Sequence, residues 1–85
     1  MTTRKITLHD GSEFEGSCSY SDGYLFLSLR NVENDTDVAP FLDASATSEI
    51  LYEYDDKQDT YRNFTFYSIQ KMEGHFNVGL QGGII

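Results

Sequence analysis

The chain has 85 residues and a formal net charge of −8, with six tyrosines, six phenylalanines, one proline and one cysteine. This length bounds it to one small domain that buries about 60–65% of its unfolded surface, and the aromatic content excludes a disordered chain. The charge argues against binding nucleic acid through its phosphates or an anionic membrane surface, both of which need Lys and Arg, and the lone Cys18 excludes an intramolecular disulfide.

Met1 is followed by Thr2, Thr3, Arg4 and Lys5, with no apolar run, so no signal peptide is expected and the protein reads as cytosolic when made. Ile6 and Leu8 share one face against Lys5 and Thr7, and Asp10-Gly11 reads as a hairpin turn. Phe14, Gly16, Cys18 and Tyr20 then alternate with Glu13, Glu15, Ser17 and Ser19, a period of two. After the turn Ser21-Asp22-Gly23, Leu25, Leu27 and Leu29 alternate with Tyr24, Phe26 and Ser28, an almost wholly apolar strand that belongs in the centre of a sheet. Residues 31–37 are polar and read as a loop. Residues 38–45 suit one short helix, with Asp37 as N-cap, Pro40 in the first turn, and Phe41 and Leu42 as core anchors.

Alternation resumes with Ile50, Tyr52 and Tyr54 opposite Glu49, Leu51 and Glu53, followed by a turn over Asp55, Asp56, Lys57, Gln58 and Asp59. From Tyr61 to Met72 one face changes from Phe64 and Phe66 to Ser68 and Gln70, which predicts a β-bulge or face switch. Glu73-Gly74 turns the chain into a last strand with Phe76, Val78 and Leu80 on one face, and residues 81–85 read as a flexible tail beyond an ordered core of about 4–80. The expected fold is mainly β: a six-stranded antiparallel meander forming a small barrel or two-layer half-barrel, with one short helix or helical turn near 38–45.

Nine of the fourteen acids and a single base lie between Glu33 and Asp59, so this stretch carries the whole net charge while the rest of the chain is balanced. Same-face residues on a strand are about 6.6–6.8 Å apart. That is close to twice the roughly 3.4 Å phosphate spacing of one DNA strand. Glu49 and Glu53, extended by Asp55, Asp56 and Asp59, would therefore present charge as a nucleic-acid backbone does. The expectation is one acidic face on a neutral barrel, bordered by the tyrosines, which are favoured anchors at protein interfaces. The plainer alternative is that the acids keep a small β protein soluble and guard strand edges.

Catalytic and metal signatures are absent at the level of motif. Glu33, Asp35 and Asp37 alternate like the first ligands of a calcium loop, but Val38 stands where that loop needs glycine and Ala44 where it needs a bidentate Glu. Cys18 shares a face with Phe14 and Tyr20, as a small buried hydrophobe does, and no nucleophile elbow or phosphate loop is present. No cofactor, no metal site and no enzymatic activity are expected.

The segments Ile6 to Gly11, Tyr24 to Phe26 and Asp43 to Tyr52, with the later strands Phe64 to Ile69 and Phe76 to Leu80, resemble small uncharacterised proteins of tailed phages and prophages of gut bacteria. The resemblance runs over about 6–80, rests on structural motifs, and carries over no functional residue. It implies a viral, non-enzymatic setting. The expectation is therefore a stoichiometric, anti-CRISPR-like inhibitor of a host defence protein, acting in the cytoplasm of the host bacterium. Its partner would be a protein with a basic surface, neither nucleic acid itself nor a membrane. Asp35, Asp37, Glu49, Glu53, Asp55, Asp56 and Asp59 would supply charge, and Tyr52 and Tyr54 anchors. The alternatives are a virion accessory part of head or tail and, third, a small metal-dependent enzyme.

Overall fold

A computed structural model describes residues 4–30, 32 and 34–84; Glu33 of the calcium-loop comparison and Ile85 of the expected tail lie outside them. Six strands run as β1 (Lys5–Leu8), β2 (Glu13–Ser21), β3 (Tyr24–Arg30), β4 (Glu49–Tyr54), β5 (Lys57–Met72) and β6 (His75–Ile84). Every pairing is antiparallel, and the ring closes in the order β1, β2, β3, β6, β5, β4 and back to β1. The small mainly-β barrel is thus present, though irregular in shape. Consecutive strands are neighbours only within the halves β1–β3 and β4–β6, so the fold is two three-stranded meanders joined edge to edge. Core rows explain the joints. Leu25, Leu27 and Leu29 of β3 lie in register with Leu80, Val78 and Phe76 of β6, and Leu8 and Ile6 of β1 with Ile50 and Tyr52 of β4. Among the described residues, closing the ring leaves no strand edge open to a stray chain.

Two long strands turn the corners. β2 pairs with β1 through Glu13–Glu15 and with β3 from Glu15 onward. β5 pairs with β4 up to Arg62 and with β6 from there to Met72, bending at Asn63, which has a positive φ of 63°. At the β2 corner Gly16 is buried against β3, and a Cβ there would run into the Ser28 carbonyl oxygen. The predicted bulge is present: the β5–β6 register shifts between Phe66 and Ser68, so Tyr67 is the extra residue.

The crossing between the halves closes one end of the barrel. It holds a 3-10 segment, Asp35–Leu42, and a 3-10 turn, Ala46–Ser48. The segment begins two residues before the expected cap Asp37, after an extended Asn34. In a 3-10 helix residues three apart share a side. Val38 and Phe41 are therefore the buried pair, and Leu42, expected as an anchor, is 60% exposed. Phe41 meets the ring of Phe14 at 4.8 Å. Thr47 is fully buried and donates its hydroxyl to the Phe64 carbonyl at 2.8 Å, while Ala46 accepts the His9 N–H.

The expected flexible tail is also corrected. Gln81 and Gly82 are paired with Thr65 and Phe64, and the Gly82 N–H reaches the Gly23 carbonyl at 2.9 Å. Glycines read as flexible because they lack a side chain, yet here they continue the strand that closes the ring.

Two substitutions test this frame. Gly16→Ala should cost about 1–3 kcal/mol through overpacking against β3. Thr47→Val should cost about 1–3 kcal/mol by removing the donor buried against Phe64. Both should lower the urea midpoint with an unchanged slope.

Candidate functional site

The acidic segment is divided by the strands it enters. On β4 the inward residues are Ile50 and Tyr52, which leaves Glu49 and Glu53 on the outer face. Each stands in register with a base contributed by a neighbouring strand. Glu49 lies opposite Arg62, with Nε to Oε2 at 3.3 Å, and Glu53 lies opposite Lys5. Lys5 also forms an ion pair with Glu13 at 3.4 Å. Outer residues Arg30, Glu15, Lys5 and Glu53 thus alternate in sign across four strands. These exposed pairs are worth little in stability, but they keep the strand acids from forming a continuous negative face.

The other acids separate to the two ends of β4. Asp35, Asp37 and Asp43 are exposed on the crossing, where β4 begins. The Asp43 carboxylate accepts the Ser45 N–H at 2.9 Å. Asp55 and Asp56 are exposed where β4 ends, about 17–20 Å away. They form a two-residue hairpin turn, since Tyr54 pairs with Lys57, and both have positive φ (48° and 62°). The five-residue turn expected over 55–59 is therefore a two-residue one. Asp55 also lines a polar cavity of about 460 Å³ with Arg4, Glu15 and Arg30. The remaining acids are split between the two ends of β4, with Arg4 and Arg30 close to Asp55 at one of them, and the single acidic face expected from the sequence is not formed.

Tyr52 and Asp59 have inward roles. Tyr52 is 5% exposed and its ring stacks on Tyr54 at 4.6 Å, so it belongs to the core and not to a partner surface. Asp59 is half-buried and accepts the Tyr54 hydroxyl at 2.9 Å. That bond, with burial behind it, pushes the Tyr54 hydroxyl up. Burial first, and the Asp59 charge second, push Tyr61 up to about 12 and hold the Cys18 thiol well above the ordinary thiol range. A thiol held protonated is a poor nucleophile. Among the described residues no three of His, Cys, Asp and Glu converge in a way that could hold a metal ion, and no helix is long and apolar enough to cross a membrane.

A second feature lies on the outer face of β2, β3, β6 and β5. Ser17, Ser28, Asn77 and Gln70 form one row across the four strands, and Ser19, Phe26, Gly79 and Ser68 form the next. Between them runs a groove of about 380 Å³ with no charged residue in its lining. Phe26 and Tyr67 stay 47% and 53% exposed beside it, and Tyr24 meets their rings at 6.1 and 5.1 Å. The alternating serines of β2 were legible in the sequence. Their alignment with Asn77 and Gln70 depends on register, and no local pattern reports it.

No protein-family model, curated protein or solved structure matches the chain.

The raised Cys18 and Tyr61 groups make stability fall in alkali. In the unfolded chain they lose protons from their ordinary values of 9.0 and 10.0, before the folded protein does. Fewer protons are then bound in the unfolded state, so the slope of stability with pH is negative. Their contribution should be complete below about pH 9 and decline above it. Melting temperature followed from pH 8 upward should show this decline, and Cys18→Ala should delay its onset to about pH 10.

Proposed function

We propose that the protein is a non-enzymatic, phage-encoded binding protein that inhibits a host defence protein by occupying a basic surface meant for nucleic acid. The observation that carries this reading is the tip made by Asp55 and Asp56. A hairpin turn with both central residues at positive φ favours Asn-Gly, Asp-Gly or Gly-Gly, so Asp55 suits its position and Asp56 stands where glycine is preferred. Aspartate tolerates that conformation better than most residues but at some cost. Backbone strain retained at an exposed tip, where it presents two carboxylates, fits a contact function better than a solubilising one. Asp35, Asp37 and Asp43 add a second negative tip at the other end of β4. A neutral barrel carrying two such tips would meet a basic groove at two points, with association accelerated by long-range attraction and sensitive to salt. Tyr54 stands beside the tip, while Glu49 and Glu53 serve mainly to balance Arg62 and Lys5. Action in the host cytoplasm belongs to the same reading.

Exchanging Asp55 for Asn and Asp56 for Gly separates folding from contact. The double variant should be more stable by about 0.5–1 kcal/mol, because the turn strain is relieved. It should also lose host protein captured by the native chain at low salt. Combining it with Asp35→Lys and Asp37→Lys should slow association with the captured protein about tenfold or more. Capture that is unchanged by all four substitutions and by about 0.5 M salt would refute the acidic contact. Capture of phage head or tail proteins in place of a host protein would favour the virion reading.

A further inference from the structure

We propose that the groove on the outer face of β2, β3, β6 and β5 is a binding site for a neutral saccharide. This inference is independent of the partner met by the acidic tips. An antiparallel sheet facing water needs only polar side chains there, yet this one keeps two large aromatic rings exposed beside a trough of hydroxyls and amides. The β5 bulge produces the arrangement. It places successive residues, Tyr67 and Ser68, on the same outer face, and bulges commonly re-aim side chains next to sites. Tyr67 meets Tyr24, which also stacks on Phe26, so three rings border one end of the trough.

Gly79 forms the floor. It is buried although it lies on the outer side of the sheet, because its neighbours lean over it. A Cβ at Gly79 would clash with Ser68 Oγ at 2.8 Å and press on Tyr67 Cδ2 at 3.4 Å, so the hydroxyl and the ring can pack this closely only over a glycine. The trough volume of about 380 Å³ lies within the range of small-molecule sites.

The lining selects the chemistry. Ser17, Ser28, Gln70 and Asn77 offer both donors and acceptors, as a polyhydroxylated ligand requires. The electron-rich faces of Tyr67 and Phe26 suit the weakly positive C–H face of a pyranose. With no charge in the lining, a charged ligand finds no counter-charge there and a neutral ligand loses nothing. A single-stranded nucleic acid would also stack on the rings, but it needs a cationic groove. A peptide strand has no open edge to join among the described strands, since their ring is closed.

The test is a backbone-amide chemical-shift titration of the full chain with neutral trisaccharides of glucose, galactose, mannose, xylose and N-acetylglucosamine. At least one should give saturable shifts at Ser17, Ser28, Asn77 and Gly79, with a Kd of about 1 mM or tighter. Phe26→Ala and Tyr67→Ala, both at exposed positions, should each weaken that binding about fivefold or more. Gly79→Ala should weaken it by displacing Ser68 and Tyr67, and Asn77→Ala, which leaves the backbone geometry alone, should weaken it by removing a donor and an acceptor from the lining. The proposal is overturned if no trisaccharide shifts these amides, if the aromatic variants bind as the native chain does, or if an oligothymidylate causes the same shifts more tightly. The acidic-tip variants should leave the saccharide shifts unchanged, so the two functional readings fail separately.

Discussion

The hydrogen bond from the Thr47 hydroxyl to the Phe64 carbonyl fastens the crossing to the barrel. It lies beside Asn63, where β5 leaves β4 and joins β6. On the other side, Ala46 accepts from His9 in the turn between β1 and β2. Two adjacent residues thus tie together the three parts of the chain that meet at this end. Val38 and Phe41 can then cover the core there, and β4 is delivered to the edge of β1. A buried hydroxyl is costly unless satisfied. The bond therefore selects one seating of the crossing over the many that a merely apolar contact would allow.

The strands were legible because alternation between apolar and polar residues is a local signal. β2, β3 and β6 could be assigned to faces residue by residue, and the β5 bulge showed itself as a break in that alternation. Features that depend on pairing between distant segments were not legible. Lys5 opposite Glu53 and Arg62 opposite Glu49 are products of register, and they break up the negative face that the order of acids along the chain implies. Tyr52 shared its face with Tyr54 on a strand whose other face carried Leu51, so alternation did not decide which tyrosine would enter the core. An α-helical period would bury Leu42 beside Phe41, but the 3-10 period of the segment turns Leu42 outward. Gly82 and Gly83 suggest a loose end, although β6 continues through them along β5, with Gly82 opposite Phe64 and Ile84 opposite Arg62.

The two surfaces differ in what they could recognise. The tips carry charge on turns and a crossing, far from one another, and would act through long-range attraction and orientation. The trough is neutral, shallow and set on a continuous sheet, and would act through close contact. The closed ring makes both possible. With backbone hydrogen bonds satisfied between strands, the outer side chains are free to differ from one side of the barrel to the other.

Ring closure also has a kinetic consequence. Each three-stranded half is built from hairpins whose partners are close in sequence, but the joints pair Lys5 with Glu53 and Leu27 with Val78, about half the chain apart. Loop-closure entropy must be overcome before those contacts return any energy. The halves are thus suited to forming early and the two seams late. Folding should accordingly fall in the millisecond-to-second range typical of non-local β topologies, well short of the speed limit for so short a chain.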